Sequence, residues 1–180
     1  MPTNDKDIIR AMREDAEKGF RLLMKSYKEP LYWHIRRLVV SHDDAQDAAQ
    51  EAFTRIFRSF GQYSEANSLR AWLFRIATNE ALRLLGRQKN VTMLSLDDVT
   101  ADMLSAKADA YYDDDDAMVA RLQKAIQRLP AKQQLAFNLR YYDELSYEEI
   151  AEVTGASAAS MKMNYHLAKE KIIEYMQKKD

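Results

Sequence analysis

With 180 residues, 47% of them apolar and 31% charged, the chain can form one ordinary domain or two small ones and is too apolar to stay disordered. It has no cysteine, which excludes disulfides and thiolate metal sites and suits a reducing compartment. The net charge of −1 hides an asymmetry. Residues 1–90 carry 16 Lys and Arg against 12 Asp and Glu, residues 91–118 carry 1 against 8, and residues 119–180 carry 10 against 8. Two mildly basic blocks flank one strongly acidic segment.

Four glycines and three prolines are too few for the turns of a sheet protein, so the expected fold class is all-α. The first residues, MPTNDKDIIRAMREDAEKG, are charged throughout and lack the apolar stretch of a secretion signal. No apolar run reaches the roughly 18 residues of a membrane span, so the expected location is the cytoplasm.

In chain order, Phe20, Leu23, Met24, Tyr27, Leu31 and Ile35 repeat at helical steps, with a kink or break expected near Glu29 because Pro30 follows. Ser41 is a cap, with His42, Asp43 and Asp44 after it, for a helix through Phe60 whose core candidates are Ala45, Ala48, Ala49, Ala52, Phe53, Ile56, Phe57 and Phe60. A polar loop over 61–67 contains one aromatic, Tyr63. Ser68 caps a third helix to about Gln88, with Leu69, Trp72, Leu73, Ile76, Ala77, Leu84 and Leu85 as core candidates. Residues 91–117 lack a sustained period and read as an acidic linker, with Asp113, Asp114, Asp115 and Asp116 near the start of the next helix. The domains expected are therefore 1–90 and 118–180.

The second block opens with a helix from about Met118 to Arg128, carrying Val119, Leu122, Ala125, Ile126 and Leu129. Pro130 opens the next, with Leu135, Ala136, Leu139 and Tyr142. Ser146 and Glu149 form a capping box for a short helix that ends at Thr154 and Gly155. Ser157 then caps the last helix, to about Gln177.

This closing pattern, SYEEIAEVTGASAASMKMNYHLAKEKI, has the form of a helix-turn-helix. Ile150, Ala151 and Val153 lie inside on its first helix; Met161, Tyr165, Ala168 and Ile172 lie inside on its second. Ser157, Ser160, Lys162, Met163, His166 and Lys169 then face outward, where a recognition helix meets the major groove. A plain helical hairpin with a solvated face has the same periodicity. The helix of 43–60 carries Asp47, Gln50, Glu51, Phe53 and Phe57, and by itself reads as an ordinary amphipathic helix. In the third helix Arg70, Arg75, Arg83, Arg87 and Lys89 alternate with Trp72, Phe74 and Asn79. Cations beside aromatics suit single-stranded nucleic acid, although Trp72 itself reads better as core. The three histidines, His34, His42 and His166, lack metal-ligand spacing, and no phosphate loop or nucleophile elbow is present. Neither catalysis nor a cofactor is expected.

Taken together, DDAQDAAQEAFTRIFRSF, then SLRAWLFRIATNEALRLL, then RLPAKQQLAFNLRYYDELSYEEIAEVTGASAASMKMNYHLAKEKI resemble regions 2 and 4 of the extracytoplasmic-function sigma factors. The resemblance covers about 10–90 and 120–175. It implies two small helical domains, a region 2 bundle and a region 4 helix-turn-helix. Such a chain confers promoter specificity on bacterial RNA polymerase. By the same resemblance Asp47, Gln50, Glu51, Phe53 and Arg55 fall where region 2 docks on the polymerase. The loop of Tyr63 falls where a flipped −10 base is captured. Trp72, Arg75, Asn79, Arg83 and Arg87 fall on the helix that opens and reads the −10 element, and Ser157, Ser160, Lys162, Met163, His166 and Lys169 on the −35 helix. Duplex readout in the major groove suits the −35 element, and extruded bases suit a melted −10 element.

The resemblance further implies that the acidic linker threads the polymerase channel, that the free chain is a monomer, and that an anti-sigma factor, often membrane-bound, is a partner. One departure stands out. Met161, Lys162, Met163, Asn164 and Tyr165 occupy the place of a more basic V-K-S-R-L stretch, and Leu167 replaces a common cation. Fewer phosphate-binding charges imply greater dependence on polymerase for promoter affinity. An autonomous helix-turn-helix regulator, or a helical protein-interaction adaptor, are the other readings. The first leaves residues 1–90 without a role; the second leaves the basic–aromatic helix without one.

Overall fold

The computed structural model describes residues 3–39, 41–88 and 117–178, the side chain of Gln88 aside. Residues 91–116 of the linker, with the run of four aspartates, and Lys89 lie outside the described residues. Among those described there are eight α-helices, one 3-10 turn and no strand. The helices are α1 (Asp5–Glu14), α2 (Ala16–Leu38), α3 (His42–Ser59), α4 (Leu69–Gln88), α5 (Ala117–Gln127), α6 (Ala131–Tyr141), α7 (Tyr147–Thr154) and α8 (Ala158–Gln177). None is long and apolar enough to cross a membrane.

Most helix ends follow from local chemistry. The side chains of Ser41 and Ser157 accept from the backbone N–H of Asp44 and Ser160, each at 3.0 Å. Ser146 and Glu149 make both bonds of a capping box. Gly155 ends α7 with φ 77°, the left-handed conformation that glycine adopts without steric cost.

Two features depart from the expectation. The first is α1, which the charge of its segment concealed. Asn4 accepts from the N–H of Lys6 at 3.0 Å, and Ile8, Ile9 and Met12 are buried. The second is Pro30, which does not break α2. It removes the N–H that would bond Ser26, at a cost of about 3 kcal/mol. Its own position is exposed, while Tyr27, Leu31, His34 and Ile35 in the turns around it are buried. Each fully buried aliphatic side chain contributes about 1.5–3 kcal/mol, so packing outweighs the lost bond.

In the N-terminal unit α1 packs on α2, and α2, α3 and α4 pack on one another. In the C-terminal unit α8 lies across α5, α6 and α7. The expected core positions are largely buried, but Phe57 is 46% exposed and meets only the edge of Phe20, at 5.2 Å. The main core does not stop at the first unit. It runs on through Ala131, Leu135, Leu139, Leu145, Ile150, Val153 and Met161. A smaller core of Ala125, Ile126, Leu129, Phe137, Ala168 and Ile172 joins α5, α6 and α8. The two units therefore meet along α4 and α7 and along α2 and α6.

Gly19 marks the closest approach of α1 and α2. A Cβ there would lie 2.3 Å from the backbone nitrogen of Met12. Gly19→Ala is expected to destabilise the chain by about 2 kcal/mol, read as a lower urea midpoint. An unchanged midpoint would show that α1 contributes little to the fold.

Candidate functional site

Helix α4 presents Arg75, Asn79, Arg83 and Arg87 as an exposed stripe, because residues four apart lie on one face. At the start of the same face Trp72 is half-buried against Tyr63 and Phe60, with ring centres 5.3 and 6.1 Å away. Tyr63 is itself buried, and its hydroxyl donates to the carbonyl of Asn67 at 2.6 Å. Tyr63 thus fixes the shape of the 61–67 loop, while the other six residues of the loop are exposed.

On α3, Asp47, Gln50 and Glu51 are exposed, and with Leu84 and Arg87 of α4 they line a groove of about 490 Å³. Phe53 is half-buried and lines a neighbouring groove of about 420 Å³ with Tyr32, the exposed Trp33, His42 and Ala49. Arg55 does not stand free. Its Nε lies 2.6 Å from an oxygen of Glu80, and Arg83 Nη1 lies 2.7 Å from the same oxygen. Glu80 is 4% exposed, so one buried carboxylate positions a cation of the α3 surface and a cation of the α4 stripe. Residue spacing gave no sign of this arrangement for Arg55.

On α8, Ser160, Lys162, Met163, His166 and Lys169 are exposed together. Ser157, also exposed, acts as the helix cap. Asn164 turns back and donates to the carbonyl of Ser160 at 3.0 Å. Lys169 reaches over the ring of Tyr165, at 5.5 Å from its centre. The outward face is therefore less basic than its sequence length allows, with Met163 60% exposed and Leu167 37% exposed in its middle.

The side chains that tie the units together were not singled out for that role in the sequence. Arg70, at the start of α4, donates from Nη2 to Glu149 Oε1 at 2.9 Å and from Nε to Oε2 at 3.3 Å. Ser68 donates to the same Oε2 at 2.7 Å. Arg70 Nη2 also donates to the carbonyl of Glu144 at 3.1 Å. Glu144 has φ 57°, a left-handed conformation that a non-glycine residue holds only at a cost of about 1–2 kcal/mol. Nearby, Asp143 lies 3.4 Å from Arg37 Nη1 and 3.5 Å from Nδ1 of the fully buried His34. The Arg37 guanidinium covers the Tyr142 ring at 4.2 Å.

Burial alone would raise the Glu149 carboxyl. The hydrogen bonds from Arg70, the Ser146 backbone and Ser68, with the Arg70 charge, instead bring it down to about 2. The bond to Glu149 raises the Arg70 guanidinium in turn. Among the described residues no group of three or more His, Asp or Glu is placed to hold a metal ion.

Family models for Sigma-70 region 2 and Sigma-70 region 4 match residues 23–91 and 120–172. The chain is 28% identical to the RNA polymerase sigma-H factor of Pseudomonas aeruginosa, over 96% of this chain and 94% of that one. It is 27% identical to the ECF RNA polymerase sigma factor SigW of Bacillus subtilis, over 92% of each. In fold it resembles CnrH in complex with the cytosolic domain of CnrY, with a TM-score of 0.70 at 18% identity over 94% of this chain and 95% of the other. It also resembles the sigma factor RpoE in complex with the anti-sigma factor NepR from Bartonella quintana, with a TM-score of 0.66 at 24% identity over 91% and 99%.

A carboxylate held low in the folded state contributes stability above its ordinary value of 4.5 and loses that contribution as pH falls toward 2. The stability advantage of the wild-type chain over Glu149→Gln is therefore expected to be constant above about pH 6 and to shrink as pH drops below 4.5. Urea midpoints of both chains across that range check this; a difference that does not change with pH would contradict it.

Proposed function

The chain belongs to the extracytoplasmic-function branch of the sigma-70 family, a promoter-specificity factor for RNA polymerase, and from that membership we propose how its surfaces divide the work. Residues 1–90 act as the polymerase-binding and −10 unit, and residues 118–180 as the −35 unit. Asp47, Gln50, Glu51 and Phe53 dock on core polymerase, with Arg55 held in place by Glu80. Arg75, Asn79, Arg83 and Arg87 follow and read the melted −10 strand, where cations track phosphates and polar groups meet unpaired bases. Trp72 and Tyr63 support the loop beside them through their ring contact. The observation that carries this reading is the exposed cationic stripe on α4, with the Trp72 ring packed on Tyr63 and Phe60 at its start.

Helix α8 enters the major groove at the −35 element, with Ser160, Lys162, Met163 and His166 toward the bases and Ser157 and Lys169 toward the backbone. The few cations on that face leave the free chain a weak DNA binder, and polymerase supplies the remaining affinity. The chain performs no catalysis of its own. It works in the cytoplasm, as a monomer when free, and an anti-sigma factor is its inhibitory partner. The Bartonella quintana protein, whose complex with such a factor shares this fold, supports that last role.

The test is transcription by bacterial core polymerase on a genomic DNA library, with and without the chain. Discrete start sites sharing two upstream motifs are expected. If the chain neither bound core nor changed initiation, the surfaces would have to be re-examined as those of an autonomous regulator. Lys162→Ala is expected to cost promoter binding about 1–3 kcal/mol and to relax the base preference at one −35 position. Asn79→Ala is expected to impair promoter opening. Both should leave polymerase affinity intact, whereas Glu51→Ala should weaken it roughly fivefold, as measured by titration of labelled chain with core polymerase.

A further inference from the structure

The donors that hold Glu149 form a set that nucleic acid also uses. A guanidinium presenting two N–H groups side by side, joined by a hydroxyl, fits a carboxylate and a phosphate equally well. Here the fork is Arg70 and the hydroxyl is Ser68, both directed at one carboxylate. Both residues sit at the start of α4, on the helix whose next turns carry Arg75 and Asn79. Arg70 also borders an open cavity of about 810 Å³, lined in part by Asp5, Tyr27, Arg37, Phe74 and Asp143, and its side chain is 35% exposed, so an outside anion can reach the guanidinium.

We propose that Arg70 and Ser68 form a binding site for a backbone phosphate of promoter DNA, and that Glu149 fills this site in the free chain as an internal phosphate mimic. The proposal rests on the assignment of α4 to the −10 strand and extends it. One anion replaces another on the same donors, so the exchange leaves the half-buried Arg70 guanidinium with a partner. DNA engagement and the closed arrangement become mutually exclusive, because Glu149 stands on α7 of the −35 unit. Release does not unravel α7, since the Ser146 side chain still accepts from the Glu149 N–H.

Phosphate contacts carry no sequence information, so a mixed-sequence probe suffices. The experiment measures fluorescence anisotropy of a labelled single-stranded oligodeoxynucleotide with the full chain, between 50 and 200 mM salt. Glutamine is tolerated at this capping position, so Glu149→Gln keeps the helix start while losing the charge. It is expected to bind roughly threefold or more tightly at the lower salt, with a salt slope steeper by about 0.7. Glu149→Asp, which keeps the charge but shortens the reach to Arg70, is expected to bind more tightly as well. Arg70→Ala should abolish the gain in either background.

If both Glu149 variants bound as the wild type does, or if the gain survived without Arg70, the phosphate site would be wrong. That failure is separable from failure of the sigma assignment. A Glu149→Gln holoenzyme that initiates at the wild-type start sites would uphold the assignment even where the free-chain binding refutes the site.

Discussion

The closed form of this chain depends on a carboxylate from the second unit seated among donors of the first. Glu149 is reached by two nitrogens of Arg70 and by the hydroxyl of Ser68, while it also bonds the backbone of Ser146. Exposed ion pairs contribute about 1 kcal/mol or less. This pair is partly sheltered, with side-chain exposures of 35% for Arg70 and 17% for Glu149, and its lone pairs are satisfied. Removing one partner therefore costs more than the pair itself contributes, because the other is left beside apolar surface without compensation. The turn leading to Glu149 is bent to the same end. Asp143 faces Arg37 and His34, Glu144 holds a left-handed conformation with its carbonyl on Arg70, and Leu145 after them is fully buried.

The two surfaces proposed for nucleic acid are built differently, and the difference suits the targets proposed for them. The stripe on α4 is cationic and starts at packed aromatic rings, which suits a flexible single strand. The face of α8 is mixed, with an apolar middle at Met163 and Leu167 flanked by Lys162 and His166. Duplex bases offer hydrogen-bonding edges and thymine methyl groups in the major groove, and a mixed face can meet both. Glu80 adds a link of its own. By holding Arg55 and Arg83 on one oxygen, it links the α3 surface proposed for polymerase with the α4 stripe proposed for DNA.

What could be read from the sequence was local. The caps at Ser41, Ser146 and Ser157 and the glycine stop at Gly155 depend on residues within a turn of one another, so their spacing suffices. The helical faces of α3, α4 and α8 were legible for the same reason. Three features were not. Helix α1 hides its Ile8, Ile9 and Met12 among charges. The continuity of α2 through Pro30 is decided by the tertiary packing of the turns around it. The Arg70–Glu149 pair joins residues 79 apart in sequence, and no period connects them. Glu149 was legible only as half of a capping box, a role it does fill, and its second set of partners exists only once the chain has folded.

The central claim is that the free chain is closed through Glu149 and that engagement of a promoter opens it. The absence of cysteine allows two labels to be placed cleanly, at the exposed Lys18 on α2 and Lys171 on α8. Distances between them can be measured by pulsed electron paramagnetic resonance, free and in holoenzyme on promoter DNA. The account predicts one narrow, short distribution for the free wild-type chain, broadening in Glu149→Gln, and a longer distance in the promoter complex. A free chain that is already broad and indifferent to Glu149, or a distance unchanged on the promoter, would contradict it.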